Sequence, residues 1–201
     1  MKNIFFVDVD TQRDFMLSSG ALYVPGAERM IPKLRRLFDF ARKNDITILS
    51  STDAHAADDP EFLKFPPHCV QGTEGQRKLD ETLLPRPLVF QNKPVNRNLL
   101  ETVQKHRQII VEKQEIDFFS NPVSERLLRV LPPRAIVFGV ATEYCVKMAC
   151  LGLRRLGVHT VLITDAVRAL SARTEKEALD AMGKAGVDLI ALDTLLDAGV
   201  N

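Results

Sequence analysis

Cys145 stands at a point in the sequence where a cysteine could act as a nucleophile. Residues 135–140 are a short apolar run that predicts a buried parallel strand. Residues 141–144 break this pattern, and a helical apolar stripe then follows at Val146, Ala149, Cys150 and Leu153. Cys145 is therefore expected at a helix N-terminus, where unpaired N–H groups and the helix dipole favour negative charge. We expect a lowered thiol pKa there, which favours the nucleophilic thiolate.

Two charged side chains follow the ends of other predicted strands. Residues 4–9 form an apolar run interrupted only by Asp8, and Asp10 follows at once. Residues 108–113 form another strand, which ends on Lys113. Because the carboxyl ends of parallel strands share one sheet edge, these two groups and Cys145 can converge. A carboxylate can accept the thiol proton and an ammonium can stabilise the thiolate, which is the pattern of an activated nucleophile.

Each of these residues alone has a more ordinary interpretation. An aspartate after a strand commonly caps a helix or closes a turn, and a lysine there is usually a solvated surface charge. Lys93 also follows a possible short strand, residues 88–91, and competes with Lys113 for the same role. The catalytic interpretation depends on the fact that Asp10, Lys113 and Cys145 all stand at or just after the ends of predicted parallel strands.

The polar loop after the second predicted strand carries residues that bind metals. Asp53 and His55 stand two residues apart, His68 follows in the same loop, and Glu61 is a possible fourth ligand. Aspartate and histidine together suit a divalent ion of the zinc, iron or manganese type, with water completing the shell. The alternative is a surface loop with solvated histidines. Whether Glu61 or a neighbour such as Asp59 reaches the ion stays open at this point.

The elements that must position these groups alternate between strand and helix. We predict strands at residues 4–9, 46–50, 88–91, 108–113, 135–140, 159–163 and 188–192. Predicted helices include one that starts at Asn121–Pro122, one that opens with a capping box at residues 174–177, and one that carries Leu79, Leu83 and Leu84. This alternation predicts a three-layer α/β/α fold with a mainly parallel sheet, in a single domain over residues 1–201.

The composition excludes several functional classes. The 27 Lys and Arg against 26 Asp and Glu give a net charge of +1, which argues against a nucleic-acid partner. No apolar run is long enough to span a membrane, and the N-terminus turns acidic too soon for a signal peptide, so we expect a cytoplasmic protein. Three cysteines fit reduced thiols better than a disulfide framework, and Cys69 and Cys150 are interpreted as structural.

These motifs resemble those of the isochorismatase-like cysteine hydrolases, and within that family most closely the nicotinamidases, also known as pyrazinamidases. Residues 10–15, DTQRDF, resemble the family's Asp-x-Gln-x-Asp-Phe, and residues 139–146, GVATEYCV, resemble its nucleophile motif. Residues 53–55, DAH, and 65–68, FPPH, resemble the nicotinamidase metal site. The resemblance covers most of the chain apart from about residues 84–107, which have no counterpart.

The resemblance implies a role for each candidate residue. Asp10 would be the general base, Lys113 the thiolate-stabilising cation and Cys145 the nucleophile. Residues 109–122, IIVEKQEIDFFSNP, resemble the family's lysine segment and favour Lys113 over Lys93. The family's non-proline cis peptide is expected between Val140 and Ala141, which would aim the N–H groups of Ala141 and Cys145 at an oxyanion.

The resemblance also implies the ligands of the metal and the ring contacts of the substrate. The implied metal ligands are Asp53, His55 and His68, with Glu61 as a fourth ligand. Phe15 and Phe65 would sandwich a pyridine ring. Many nicotinamidases have tryptophan where Phe65 stands, and this chain has no tryptophan, so a different amide could fit.

The implied activity is hydrolysis of nicotinamide to nicotinate and ammonia through a thioester, with a divalent metal ion and no organic cofactor. The expected partner is a small-molecule amide, and a homo-oligomer is left open. The nearest alternative is a family amidase acting on a carbamoyl or ureido compound. Others are a non-catalytic relative that binds a small molecule or a protein, and a metal-dependent hydrolase in which Cys145 only packs. Isochorismatase proper fits less well, because that branch hydrolyses a vinyl ether without the cysteine.

Overall fold

The computed structural model describes residues 3–199. Seven strands form one sheet in the order β3-β4-β2-β1-β5-β6-β7. Every pairing between neighbouring strands is parallel. The strands are β1 Ile4–Val9, β2 Ile48–Asp53, β3 Leu88–Phe90, β4 Gln108–Lys113, β5 Arg134–Val140, β6 His159–Arg168 and β7 Asp188–Ile190. The two edge strands, β3 and β7, have only three residues each.

Helices cover both faces of this sheet. They are α1 Arg13–Met16, α2 Ile31–Lys43, α3 Leu99–Lys105, α4 Ser124–Leu128, α5 Lys147–Arg155, α6 Ala172–Lys184 and α7 Leu192–Ala198. One core packs α3, α4, α5 and α6 against the sheet, and the other packs α2 and α7 against the opposite face. The predicted three-layer α/β/α fold is therefore confirmed. Within residues 3–199, no helix is long and apolar enough to cross a membrane.

The central strand β1 shows why the sequence forms this sheet. All six of its residues are buried, because the strand lies inside the sheet with helices above and below. Successive side chains point to opposite faces of a strand. Phe5 and Val7 accordingly pack in one core and Ile4 and Phe6 in the other. A strand buried on both faces needs a nearly continuous apolar run, and residues 4–9 supply one that only Asp8 interrupts.

The helix predicted to carry Leu79, Leu83 and Leu84 does not form. The chain makes only one 3₁₀ turn there, Asp80–Thr82. The N–H of Leu84 donates to the side-chain oxygen of Gln108 on β4, at 2.7 Å. This long-range hydrogen bond replaces the local bond that would continue a helix, so the leucine spacing reflects burial in a loop.

Two predicted helix starts are displaced. Helix α4 begins at Ser124 and not at Asn121–Pro122, because the Asn121 side chain accepts a hydrogen bond from the N–H of Val123 and closes a turn first. Helix α6 begins at Ala172, before the predicted capping box at residues 174–177. Its N-cap is Ser171, whose hydroxyl accepts from the N–H of Thr174.

The last two strands also differ from the prediction. Strand β6 continues to Arg168, five residues past its predicted end. Strand β7 ends at Ile190, and residues 192–198 form the unpredicted helix α7. Asp165 on β6 accepts a hydrogen bond from the N–H of Leu192, at 2.8 Å, and so fixes the start of this helix.

Gly139 in β5 is required by the close approach of β1. It pairs with Val9, and its φ of +124° is one that side chains rarely adopt. A Cβ at this position would collide with the carbonyl oxygen of Val9. We expect Gly139→Ala to lower the free energy of unfolding by about 2–4 kcal/mol, from backbone strain and overpacking together.

Urea denaturation would measure this loss, with Gly183→Ala as the matched control. A Cβ on Gly183, inside α6, would make only ordinary contact at 3.7 Å with Leu189. Alanine is the better helix former, so this control should keep or raise stability. Equal stability of the two variants would contradict the assigned contact between β1 and β5.

Candidate active site

Lys113 joins the candidate catalytic groups at the carboxyl edge of the sheet. It ends β4, it is fully buried, and its Nζ lies 2.9 Å from Asp10 Oδ2 and 3.6 Å from Cys145 Sγ. The same ammonium forms a salt bridge with Asp53 Oδ1. The structure thus brings together the three residues expected to meet there. Lys93, the competing lysine, is exposed in the loop after β3 and contributes nothing to this cluster.

Asp10 is held directly after β1 in an unusual backbone conformation. Its φ is +49°, in the left-handed region that aspartate tolerates better than most residues. The hydroxyl of Ser51 donates to Asp10 Oδ1 at 2.6 Å. Burial raises the pKa of Asp10 above its ordinary value, an effect that Lys113 opposes and Asp53 reinforces. A carboxylate with a raised pKa is a better proton acceptor at neutral pH.

The expected lowering of the Cys145 pKa is wrong. Burial raises the pKa of this thiol well above its ordinary value, and the positive charge of Lys113 does not compensate. Asp10 and Asp53 raise it further through their negative charges. The helix N-terminus alone therefore does not determine the ionisation of Cys145. The raised pKa favours the thiol form of Cys145, which lies beside a carboxylate, Asp10, that can accept its proton.

The turn that carries Cys145 is irregular. The Val140–Ala141 peptide bond is cis, as the family resemblance implied. Residues Thr142–Val146 then form a π-type turn, interrupted at Tyr144, before α5 starts at Lys147. Both Ala141 and Cys145 line the cavity described below, and their role as an oxyanion hole stays a prediction.

Glu143 fixes this turn, and the sequence reasoning missed it. It is 8% exposed, and its Oε1 accepts from the N–H of Leu170 at 2.9 Å and from the Thr174 hydroxyl at 2.8 Å. These bonds tie the turn that holds Cys145 to the start of α6. Thr174 was the residue from which this contact could have been found. It was interpreted as a helix cap, but its hydroxyl donates a hydrogen bond to Glu143.

Asp53, His55 and His68 form a buried cluster that fits a metal ion. Their possible ligand atoms lie within 4.8 Å of one another. Each histidine Nε2 is 3.8 Å from Asp53 Oδ2. Within the described part of the chain, His55 Nε2 is buried and has no hydrogen-bond partner. A buried acceptor without a partner is costly, and a ligated ion would remove that cost.

The remaining predicted ligand, Glu61, lies beside the cluster and lines the cavity with His68. It does not belong to the group whose ligand atoms lie together. Burial and the negative charge of Asp53 raise the pKa of Glu61. Asp59 is placed differently, since its Oδ2 is 3.0 Å from Nδ1 of His55, on the opposite side of the ring from the cluster.

Gln12 positions Asp53 and was not singled out from the sequence. Its Nε2 donates to the carbonyl oxygen of Asp53 at 2.8 Å, and its Oε1 accepts from the N–H of Asp53 at 2.7 Å. The same Nε2 also donates to the carbonyl oxygen of Gln76 at 2.7 Å. These bonds explain why a glutamine stands between the two aspartates of DTQRDF. Its side chain connects the end of β2 to the loop that contains Gln76.

A small cavity of about 90 Å³ opens beside Cys145. Its walls are mainly apolar and include Leu22, Val24, Ile116 and Leu170, whereas Asp53, Glu61 and His68 give it one polar side. Phe15 and Phe65 both line it, and their ring centroids lie 5.4 Å and 6.3 Å from that of His68. The cavity suits a small molecule with a polar end.

The fold and this site define a class of α/β proteins that place a cysteine and a small cavity at the carboxyl edge of a parallel sheet. Residues 5–194 match the Isochorismatase domain family, and the chain belongs to that family.

The chain resembles several known proteins over nearly its whole length. It is 26% identical to the nicotinamidase of Escherichia coli over an alignment of 211 positions that covers 92% of each chain. The crystal structure of the pyrazinamidase of Pyrococcus horikoshii in complex with zinc superposes with a TM-score of 0.77 at 26% identity, covering 94% of this chain and 99% of that one. An isochorismatase-like hydrolase from Alkaliphilus metalliredigens shares the fold, with a TM-score of 0.80 at 21% identity over 97% of this chain and 98% of that one.

Proposed function

We propose that this protein is an amide hydrolase that converts nicotinamide to nicotinate and ammonia. The observation that carries this proposal is the buried ammonium of Lys113, which lies between the Asp10 carboxylate and the Cys145 sulfur. The resemblance to the nicotinamidase of E. coli and to the pyrazinamidase of P. horikoshii supports the choice of substrate. Such an activity would return nicotinate to pyridine-nucleotide synthesis in the cytoplasm.

The reaction begins with transfer of the Cys145 thiol proton to Asp10. The thiolate attacks the carboxamide carbon, and a C–S bond forms as the carbonyl π electrons move to oxygen. Asp10 then gives its proton to the departing amine, so that ammonia leaves and a thioester remains. Asp10 next accepts a proton from water, which attacks the thioester. Nicotinate is released, and the proton returns to the Cys145 sulfur.

Lys113 supplies the positive charge that these reaction steps need. Burial alone would lower its pKa, but Asp10 and Asp53 outweigh burial and hold that pKa well above its ordinary value. The side chain therefore stays an ammonium while Cys145 passes between thiol and thiolate. A fixed charge in a site shielded from water needs no reorganisation when the sulfur becomes anionic.

Asp53, His55 and His68 would hold a divalent ion of the zinc, iron or manganese type, and Glu61 stays a predicted further ligand. When bound, such an ion would supply a Lewis acid that holds and orients the ring nitrogen of the substrate. Phe15 and Phe65 would hold the flat ring between them. A substrate that fills this small, mainly apolar cavity would exclude water from the sulfur during the attack.

Ammonia release by the purified protein tests this proposal. With nicotinamide and added Zn²⁺, Mn²⁺ or Fe²⁺, we expect release that a chelator reduces strongly and that the added metal restores. Coupled assay of ammonia, with nicotinate identified chromatographically, would measure it. Release from a carbamoyl or ureido compound but not from nicotinamide would support the alternative family amidase, and release that a chelator leaves unchanged would contradict the metal assignment.

A further inference from the structure

We propose that Asp59 is a positioning residue that sets His55 for metal binding and also shapes the loop that carries Glu61. The inference rests on the metal site proposed at Asp53, His55 and His68. Asp59 itself lies outside that cluster and touches it only through the far side of one imidazole ring.

The contacts of the His55 ring determine which of its nitrogens can bind a metal. Its Nδ1 lies 3.0 Å from Asp59 Oδ2, and its Nε2 lies 3.8 Å from Asp53 Oδ2. A neutral imidazole carries a proton on one nitrogen only. If Asp59 accepts the Nδ1 proton, Nε2 keeps its lone pair and points it at the cluster. A carboxylate in this place also makes the ligating nitrogen a stronger donor.

The second histidine does not depend on a side chain in this way. The Nδ1 of His68 lies 2.8 Å from the carbonyl oxygen of Pro66, so the backbone orients that ring. Both histidines thus direct Nε2 at the cluster. A single substitution can remove the side-chain partner that orients His55, whereas the backbone carbonyl that orients His68 remains whatever residue stands there. This difference makes Asp59 the position at which orientation can be tested.

The other carboxylate oxygen of Asp59 acts on the neighbouring turn. Its Oδ1 accepts from the N–H of Glu61 at 2.9 Å and so caps the 3₁₀ turn Pro60–Leu63. Phe62 in this turn packs against both histidine rings, with centroids 5.3 Å from His55 and 5.8 Å from His68. Asp59 therefore fixes the ring of His55 and the segment that covers it. Loss of Asp59 would free both, with no loss of a candidate ligand.

The test compares the Zn²⁺ affinity of Asp59→Ala with that of the unchanged protein, by competition with a chromophoric chelator. We expect the dissociation constant to rise by about 10- to 100-fold, the usual effect of losing such a partner. Asp59→Asn keeps one acceptor oxygen, which can serve either His55 Nδ1 or the N–H of Glu61 where the carboxylate serves both, and should recover part of the affinity. Asp58→Ala is the matched control, because Asp58 is exposed and its loss removes the same charge one residue earlier.

The possible outcomes separate this inference from the proposed metal site. A Zn²⁺ affinity of Asp59→Ala equal to that of the unchanged protein would overturn the role of Asp59 and leave the site intact. Equal weakening by Asp58→Ala would also overturn it, since a general charge effect would then suffice. Failure of the unchanged protein to bind Zn²⁺ would overturn both. Circular dichroism at the assay temperature would show that each metal-free protein is folded during the titration, so that unfolding does not account for weaker binding.

Discussion

Replacement of Cys145 by alanine should lower kcat/KM for ammonia release by at least about 10⁴-fold, because the sulfur that attacks the amide carbon is gone. Asp10 and Lys113 would remain, but neither can form the thioester in its place. Mass spectrometry of protein quenched during turnover should show the acyl adduct on the unchanged protein and none on the variant. Steady-state ammonia release gives the rate, with the metal supplied equally to both proteins.

The control for this prediction is Cys150→Ala. Cys150 is fully buried on α5 and packs in the core on that face of the sheet. Its truncation should cost stability, of the order of 1 kcal/mol, and leave kcat/KM within a few-fold. Cys145→Ala with full activity would refute the covalent mechanism. It would favour the alternative in which the metal site alone performs hydrolysis and Cys145 only packs.

Replacement of Lys113 by methionine should lower the free energy of unfolding by about 3–5 kcal/mol at neutral pH, because it leaves two buried carboxylates without their shared cation. Lys113 and Asp10 are fully buried, and Asp53 is 4% exposed. Activity should be lost as well, since nothing would then stabilise the thiolate. Guanidinium denaturation with chelator present would measure the loss without a contribution from bound metal.

The pH dependence of this loss gives a second, independent readout. Lys113 lowers the pKa of both Asp10 and Asp53, so its removal raises the native pKa of each carboxyl group. A group with a raised native pKa destabilises the fold increasingly as pH rises through the unfolded value. The stability gap between variant and unchanged protein should therefore narrow as pH falls towards about 4. A gap that stays constant would indicate lost packing and not uncompensated charge.

The control for Lys113→Met is Lys105→Met. Lys105 is paired with Glu101 one helical turn away, but both side chains are largely exposed. Exposed pairs of this kind contribute little, so stability should be almost unchanged. Equal destabilisation by the two substitutions would contradict the assignment of Lys113 as the buried cation between Asp10 and Asp53.

The sequence predicted the layers of the fold and the convergence of its polar groups because both depend on local patterns. Apolar runs define strands buried on both faces, and parallel strands put their ends at one edge. Asp10, Asp53 and Lys113 could therefore be placed from strand ends alone. The contacts between these side chains cannot be predicted from neighbouring residues in the sequence. The Lys113 ammonium reaches two carboxylates and the sulfur because of the way β1, β2 and β4 lie side by side.

Other features were missed because long-range contacts decided them. Leu84 donates its N–H to Gln108 on β4, so the predicted helix there does not form. The hydroxyl of Thr174 serves Glu143 in the turn before α5, although it looked like a helix cap. The pKa of Cys145 was predicted from its place at a helix start. Burial beside two carboxylates raises that pKa, and neither property is visible in the neighbouring residues.

The two edges of the sheet bear on how the protein behaves at high concentration. An exposed edge strand offers unpaired backbone groups on which another chain can add a strand and start aggregation. Here each edge offers only three residues. Pro85 and Pro87 precede β3, and Lys93 and Pro94 follow it. Proline has no N–H to donate to an added strand, and a charged lysine disfavours burial of the edge against another chain. Residues 84–107 therefore end the sheet on this side in a form that resists intermolecular β-pairing.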